Sequence, residues 1–167
     1  MRVLIKHEDI VKECERIGNA ITKQFVGKEI VVVCVLKGAA PFHSELIKHI
    51  DLPLLADYIQ VKSYEGTEST GIITLKKDID YDITNKDVVI VEDIVDSGNT
   101  LTWIKEQLGK RKPNSLTFVS LLDKPSRRKV HFEPDYVGFT IDDLFVFGFG
   151  LDLDEKCRNL KDIYVND

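Results

Sequence analysis

Cysteine is scarce in this sequence, and its spacing excludes two common kinds of site. The three cysteines, Cys14, Cys34 and Cys157, are odd in number and far apart, and none belongs to a CxxC pair. We therefore expect neither a disulfide framework nor a zinc site. Isolated thiols of this kind are typical of proteins in a reducing compartment.

Long apolar runs are also absent. The longest, Ile30–Leu36, is far shorter than the roughly 20 residues that a membrane-spanning helix needs. The segment from Met1 to His7 soon reaches a charged residue, and no apolar core of a secretion signal follows it. We therefore expect a cytoplasmic protein without a membrane partner.

An excess of basic residues is missing as well. The 167 residues include 23 Lys and Arg against 28 Asp and Glu, so the formal net charge is −5. Nucleic-acid-binding proteins usually carry a basic surface, so we expect no nucleic acid as a partner. The charge does not exclude a small phosphorylated ligand, because such a ligand arrives with its own cations.

What is present predicts one α/β domain over residues 1–167. The composition, 43% apolar and 31% charged, is that of a globular protein, and the length fits one domain. Apolar positions at helical spacing predict helices, and β-branched runs without alternation predict strands buried on both faces. Alternating strands and helices predict a mainly parallel sheet flanked by helices. The predicted helices cover residues 10–25, 42–50 and 98–110, and the predicted buried strands cover residues 30–36, 88–91 and 116–122.

A hairpin is predicted before the second buried strand. Residues 54–62 and 72–76 are expected to form two antiparallel strands, joined by a polar loop at 63–71 that we expect to be mobile. Shorter strands are expected at the following places: 136–141, 145–149 and 163–165.

Charged residues follow the predicted buried strands, which is where ligands bind in open α/β sheets. Taken singly, a charge at a strand end is routine, because such ends meet solvent. Three buried strands with charged ends nevertheless make this edge of the sheet the candidate site. The residues concerned are Lys37 with Gly38, Glu92 with Asp93, and Asp123 with Lys124.

Residues 88–101 carry the most specific signal of the chain: an apolar strand, two acids, a small polar loop and a helix start. The loop 96–100 presents backbone N–H groups at a helix N-terminus, which favours a phosphate. It matches neither GxxxxGK[ST] nor GxGxxG. The adjacent acids suit ribose hydroxyls or Mg²⁺. The simpler alternative is a helix capped by Asp96 or Ser97 without a ligand.

This stretch resembles the 5-phosphoribosyl 1-diphosphate (PRPP) motif of type I phosphoribosyltransferases. Further stretches resemble one branch of that family, the hypoxanthine-guanine phosphoribosyltransferases: a pyrophosphate loop, a closing loop, a purine-reading strand and loop, and a C-terminal signature. These stretches are, in that order, residues 35–38, residues 62–64 with 69–71, residues 121–128, and residues 135–139 with 145–152.

The resemblance implies a type I phosphoribosyltransferase fold: a central, mainly parallel sheet flanked by helices, a small hood and a flexible hairpin loop. The implied reaction is purine salvage, in which the phosphoribosyl group of PRPP moves to N9 of hypoxanthine or guanine. It gives IMP or GMP and pyrophosphate, with Mg²⁺ as cofactor, in a homodimer or homotetramer. Two alternatives stay open: a PRPP-binding transcription or RNA regulator of the same fold, and a transferase that prefers xanthine.

The family's roles carry over to residues that match its motifs. Asp96 resembles the general acid/base that faces purine N7. Asp96, Ser97, Gly98, Asn99 and Thr100 are implied to bind the 5′-phosphate, and Glu92 and Asp93 the ribose hydroxyls. Lys37, Gly38 and Arg158 are implied to bind pyrophosphate. Lys124, Phe145, Val146 and Asp152 are implied to bind the purine, and Glu92, Asp93 and Asp152 the metal. Ser63 and Tyr64 are implied to close the site.

Two details of the resemblance concern the phosphate-binding segments. In this family the peptide between Leu36 and Lys37 is often cis. Asn99 occupies the variable position of the phosphate loop, where relatives can carry a lysine, so less positive charge meets the phosphate here.

Overall fold

The computed structural model describes residues 1–64 and 72–166 of the chain. Nine strands and three α-helices form within these residues, and Pro125–Arg127 forms one turn of 3₁₀ helix. In chain order they are β1 (Arg2–Ile5), α1 (His7–Gln24), β2 (Ile30–Leu36), α2 (Ala40–Ile47), β3 (Leu54–Tyr64), β4 (Ile72–Lys77), β5 (Asp87–Val95), α3 (Asn99–Gly109), β6 (Ser115–Asp123), β7 (Tyr136–Thr140), β8 (Val146–Phe147) and β9 (Ile163–Val165).

The central sheet has six strands in the order β4-β3-β2-β5-β6-β7. Strands β3, β2, β5, β6 and β7 run parallel, and β4 is antiparallel at one edge because it forms a hairpin with β3. The predicted α/β fold class is therefore confirmed. β2 and β5 lie in the middle, which explains why β2 and residues 88–91 of β5 are wholly apolar and mostly β-branched.

A second, smaller sheet joins the two ends of the chain in the order β1-β9-β8, with antiparallel pairing. It corresponds to the small hood that the resemblance implies. The C-terminal strands were expected, but β1 was not. It is a short strand whose partner lies at the far end of the chain, so no local pattern indicates it.

Helices cover both faces of the central sheet, and each face has its own apolar core. α1 buries the predicted face, including Ile10, Cys14 and Ile17, in the cluster that also holds α2. α3 buries Leu101 and Ile104 in a second cluster on the other face. The only tryptophan, Trp103, is half-buried and packs against this cluster. The sheet thus has helices on both sides, and its edges at the strand ends are free to form a site.

Several boundaries differ from the predictions by a few residues, and two of them bear on the site. β5 runs to Val95, so Glu92 and Asp93 lie within the strand; the prediction that the strand ends at these acids was wrong. The strand continues because its pairing with β6 extends to Val95 and Asp123. β3 likewise continues to Tyr64, and the remainder of the predicted mobile loop, residues 65–71, lies outside the described residues.

No helix in the described ranges 1–64 and 72–166 is long and apolar enough to cross a membrane.

Candidate active site

The segment that joins β5 to α3 forms a tight loop at the carboxyl edge of the sheet. Gly98 precedes the first residue of α3 and has φ of +85°, a left-handed conformation that favours glycine. The hydroxyl of Ser97 accepts a hydrogen bond from the N–H of Asn99 at 3.2 Å. The loop therefore places consecutive backbone N–H groups at the start of an 11-residue helix, where an anion is favoured by the helix dipole.

This loop lines a cavity of about 160 Å³ at the end of β5. The cavity wall brings together the loop, one of the two adjacent acids and the end of β3. Its lining includes Ser63, Glu92, Asp96, Ser97, Gly98 and Thr100. Several residues implied for PRPP binding thus face one space, although Ser63 is distant from the others in sequence.

The two adjacent acids lie in surroundings that disfavour their charge. Glu92 is 7% exposed, and burial together with the neighbouring Asp93 carboxylate raises its pKa well above the ordinary value. Burial also raises the pKa of Asp93. The Glu92 carboxylate accepts a hydrogen bond from the N–H of Asp93 at 3.0 Å. The pair is therefore a site where hydroxyl donors or a cation would relieve an electrostatic cost.

Gly38, just after β2, comes so close to this pair that no side chain fits. A Cβ at Gly38 would overlap the Asp93 carboxylate, and a Cβ at Gly150 would overlap the Gly38 carbonyl oxygen. The two glycines allow three backbone segments to meet beside the acids. This close approach is what the end of β2 needs to place its backbone near a ligand.

The donor set at the acids fits Mg²⁺ that is held jointly with a substrate. No cluster of three or more His, Cys, Asp or Glu residues that could hold a metal occurs in the described part of the chain, so Asp152 does not join Glu92 and Asp93 in a preformed cage. Mg²⁺ commonly takes one or two protein carboxylates and completes its shell with phosphates and water. Glu92 and Asp93 match that pattern.

Asp96 and Lys124 face each other between the phosphate loop and the end of β6. The Lys124 ammonium lies 3.8 Å from Asp96 Oδ1 and 3.8 Å from Asp143 Oδ1, and its side chain is only 9% exposed. Oδ1 of Asp96 is buried and accepts no hydrogen bond from any described residue. This oxygen therefore has Lys124 as an ion-pair partner but lacks a hydrogen-bond donor, which a ligand can supply. Asp143 was not predicted from the sequence.

The phenylalanines near the C-terminus divide into two kinds. Phe147 and Phe149 are buried in the core, whereas Phe145 is 57% exposed. The adjacent Val146 is buried in β8, where it pairs with Val165. Phe145 alone therefore offers a free ring face that a planar ligand can stack on.

Of the three residues implied for pyrophosphate, Lys37 and Arg158 share an acidic partner, and Gly38 follows Lys37 in the chain. The ammonium of Lys37 is 3.8 Å from a Glu155 oxygen, and the Arg158 guanidinium is 3.4 Å from the same oxygen. Arg158 also donates to the Gly150 carbonyl at 2.8 Å and lies 3.7 Å from Asp152. The peptide before Lys37 is cis, in agreement with the resemblance. Two cations thus converge beside Gly38, which is the arrangement that a pyrophosphate requires.

Arg128 has a role that the sequence did not reveal. Its guanidinium donates to Asp123 Oδ1 at 2.7 Å, to the carbonyls of Asp96 at 3.0 Å and Val95 at 3.4 Å, and to Phe132 O at 2.7 Å. The amino-acid sequence alone is equally consistent with a solvent-exposed arginine at this position. Its partners come from three separate segments, so only the folded chain shows them.

The two residues implied for closing the site lie at the end of β3. Ser63 faces the cavity, and the backbone of Tyr64 pairs with Ile72 of β4. The residues that follow, 65–71, are outside the described part of the chain.

Comparison with known proteins supports the resemblance over almost the whole chain. A family model described as phosphoribosyl transferase domain matches residues 4–156. The chain is 52% identical over 159 residues to the hypoxanthine-guanine phosphoribosyltransferase of Staphylococcus aureus strain Mu50 (95% of this chain, 89% of the relative). It is 45% identical over 165 residues to that of Streptococcus thermophilus strain CNRZ 1066 (98% and 92%).

Solved structures agree with these sequence relatives. The crystal structure of a hypoxanthine-guanine phosphoribosyltransferase from Bacillus anthracis, with HEPES in its active site, matches with a TM-score of 0.96 at 45% identity, covering 100% of this chain and 99% of that one. A hypoxanthine phosphoribosyltransferase from Staphylococcus aureus matches with a TM-score of 0.96 at 50% identity, covering 99% and 91%.

Proposed function

The chain belongs to the phosphoribosyl transferase family, and we propose that it transfers the 5-phosphoribosyl group of PRPP to N9 of a 6-oxopurine, hypoxanthine or guanine. The products are IMP or GMP and pyrophosphate, which makes the protein a purine salvage enzyme. The observation that carries this proposal is one cavity edge where a phosphate loop meets Glu92, with the Lys124 ammonium 3.8 Å from Asp96 of that loop. It occurs in a chain that is 45–52% identical to hypoxanthine-guanine phosphoribosyltransferases.

The phosphoribosyl group is bound from both of its ends. Loop 96–100 holds the 5′-phosphate with backbone N–H groups and the hydroxyls of Ser97 and Thr100, and Asn99 adds no charge. Glu92 and Asp93 hold the ribose hydroxyls. Lys37, Arg158 and the backbone at Gly38 bind the pyrophosphate. We propose that Glu92 and Asp93, with Asp152 as a further carboxylate, would hold Mg²⁺, which would supply positive charge to the pyrophosphate.

The purine is bound at the end of β6. Lys124 donates to the 6-oxo group, which selects against an amino group at that position. Phe145 stacks on the ring, and the backbone of Val146 bonds its Watson–Crick edge. Once substrate is bound, the carboxylate of Asp96 lies on the purine side of the phosphate loop, where it exchanges the proton at N7 as general acid/base.

Bond breaking at the anomeric carbon leaves positive, oxocarbenium-like charge on the ribose. The acid pair beside the ribose favours this charge, and the cations at Lys37 and Arg158 favour the departing pyrophosphate. Ser63 and Tyr64 close over the site so that water does not take the place of the purine.

The wider setting follows from coarser observations. We propose that residues 1–167 act as one domain, since the family match covers residues 4–156. All three cysteines are free thiols, which suits a reducing compartment such as the cytoplasm. For assembly we propose a homodimer or homotetramer. A related Trypanosoma cruzi hypoxanthine phosphoribosyl transferase has been studied for the role of its C-terminal region in oligomeric state and activity.

A substrate panel tests the proposal. Hypoxanthine, guanine, xanthine and adenine are each incubated with PRPP and Mg²⁺, and pyrophosphate release is measured. We expect turnover with hypoxanthine or guanine, none with adenine, and loss of all turnover when a chelator removes Mg²⁺. A clear preference for xanthine would correct the substrate, and no turnover with any of the four bases would refute the enzyme assignment.

A further inference from the structure

Arg128 has no direct role in the proposed reaction. Its contact with the reacting part of the site is a hydrogen bond to the backbone carbonyl of Asp96. Its side chain is 11% exposed and lies behind the phosphate loop, on the segment 124–133 that follows β6. Gly98 is packed against this segment, because a Cβ there would lie 3.1 Å from the Arg128 side chain and 3.1 Å from Val130. The loop and the segment are therefore in direct contact.

The segment donates hydrogen bonds to three consecutive carbonyls, that of the last residue of β5 and those of the first two residues of the loop. Val95 O accepts from the N–H of Lys124 at 2.9 Å, and Ser97 O accepts from the N–H of Lys129 at 2.9 Å. Between them, Asp96 O accepts from Arg128 at 3.0 Å. The bond to Asp96 O and a longer one from Arg128 to Val95 O at 3.4 Å depend on a side chain, so a substitution at Arg128 can remove them.

The direction of the carbonyls decides the direction of the N–H groups. In a trans peptide the C=O of one residue and the N–H of the next point in opposite directions. A carbonyl of Asp96 that is held towards Arg128 therefore turns the N–H of Ser97 away from it. The phosphate loop needs its N–H groups on the ligand side, so the bond to Arg128 sets the geometry that binds the anion.

Arginine is suited to this position in a way that lysine is not. The planar guanidinium donates in several fixed directions at once, whereas an ammonium is a point charge on a flexible chain. Here the fork reaches the loop carbonyls, Phe132 O and the buried carboxylate of Asp123 together. Asp123 is 3% exposed and supplies the opposite charge.

We propose that Arg128 is a positioning residue that orients the phosphate loop for the 5′-phosphate of the substrate. The inference rests on the proposed function, because that function supplies the phosphate. Arg128 acts on the phosphate end of the site and leaves the purine end unchanged.

The test compares Arg128→Lys with Lys129→Ala, an exposed neighbour on the same segment. Binding of ribose 5-phosphate, measured by calorimetry, uses the phosphate loop without requiring transfer. We expect Arg128→Lys to weaken this binding about tenfold or more and to raise the KM for PRPP in parallel, since charge-assisted bonds to the loop are lost. The KM for hypoxanthine should stay within about twofold, and Lys129→Ala should match the wild type.

Asp123→Asn separates positioning from general stability. It removes the buried charge partner but leaves the guanidinium able to reach the loop carbonyls. We expect it to lower the melting temperature at least as much as Arg128→Lys, and to retain ribose 5-phosphate binding within about threefold. If both variants lose affinity in proportion to lost stability, or if Arg128→Lys binds as the wild type does, the inference is wrong.

The binding measurement also keeps the two proposals apart. A wild-type protein that binds ribose 5-phosphate but releases no pyrophosphate with any base contradicts the proposed function, and the Arg128 comparison is still decided by binding. A wild-type protein that binds no ribose 5-phosphate overturns the inference about Arg128.

Discussion

The two ends of β5 both carry buried carboxylates, but their surroundings are opposite. At the beginning of the strand, Asp87 accepts hydrogen bonds from Ser115 at 2.6 Å and Asn114 at 2.7 Å, and lies 3.6 Å from the Lys28 ammonium. Burial alone would raise the pKa of Asp87, but these hydrogen bonds and the nearby charge lower it below its ordinary value. The charge of Asp87 therefore stabilises the fold.

At the other end, burial raises the pKa values of both Glu92 and Asp93, and the charge of Asp93 raises that of Glu92 further. The protein supplies these acids with few donors, and Oδ1 of Asp96 accepts no hydrogen bond from the described residues. At the beginning of β5, hydrogen bonds and a lysine compensate the buried charge within the fold. At its end, the buried acids lack such compensation, and a ligand or a cation can provide it, as expected where function and stability compete.

The largest expected effect concerns Asp96. We expect Asp96→Asn to lower kcat by about 10²–10⁴-fold, the usual contribution of general acid–base catalysis. Binding of the nucleotide product should change little, because the phosphate loop is intact. Steady-state kinetics and calorimetry measure the two quantities. Asp143→Asn is the matched control, since Asp143 lies at the same 3.8 Å from Lys124. An equal loss of kcat in both variants would reduce Asp96 to a charge partner of Lys124.

The next largest effect concerns Asp87 at the beginning of β5, where hydrogen bonds compensate the buried charge. Asp87→Asn should lower the free energy of unfolding by about 1–3 kcal/mol, the cost of disrupting a buried hydrogen-bonded group. Because the folded-state pKa of Asp87 is lowered, its contribution is complete above the ordinary value of 3.8 and is lost as pH falls through the folded value. Denaturation at several pH values should show the two curves converging in acid. The kcat should not change.

Glu92→Gln should raise the free energy of unfolding, whereas Asp87→Asn should lower it. A raised folded-state pKa means that wild-type stability falls as pH rises above the ordinary value of 4.5. The variant removes this buried charge, so we expect it to be more stable at neutral pH by about 0.5–2 kcal/mol, a usual range for stabilising substitutions. The gain should vanish below pH 4.5, and PRPP turnover should decrease. A variant less stable than the wild type at neutral pH would contradict the comparison.

The smallest expected effect is on the KM for the purine, and it should distinguish Phe145 from its neighbour Phe147. Phe145→Leu should raise the KM for the purine by an amount equivalent to about 0.5–1.5 kcal/mol, the value of an aromatic contact, without a change in melting temperature. Phe147 is 1% exposed and stacks on Tyr164 at 5.9 Å. Phe147→Leu should therefore lower the melting temperature and leave the KM unchanged. Similar behaviour in both variants would remove the distinction between site and core in this segment.

Local patterns predicted most of the fold because its central elements have strong local signals. The β-branched run of β2 was predicted at both of its ends, since both faces of that strand are buried and polar residues flank it. β1 was missed because its pairing with β9 depends on the opposite end of the chain. The predicted end of β5 was too early because a charged pair normally marks a strand end, whereas here the ladder with β6 continues past it.

The part of the candidate site that could be predicted is the part that follows from the order and direction of the strands. Parallel strands place the residues after their carboxyl ends at one edge, which brought the motif at 88–101 and Lys124 together in the prediction. No role was predicted for Asp143 or Arg128, because their contacts depend on the long side chains of Lys124 and of Arg128 itself. A long or flexible side chain joins segments that no spacing rule relates, and only tertiary structure shows which groups it contacts.

The position of Trp103 on α3 has a practical consequence. It is the single tryptophan of the chain, and it lies half-buried one turn after the loop that begins this helix. Indole emission responds to local polarity and packing, so all tryptophan fluorescence of the protein arises from one place, in the helix that the phosphate loop begins. The protein thus contains one intrinsic optical probe, and titration of a phosphorylated ligand against tryptophan emission tests whether this helix responds to binding at the loop.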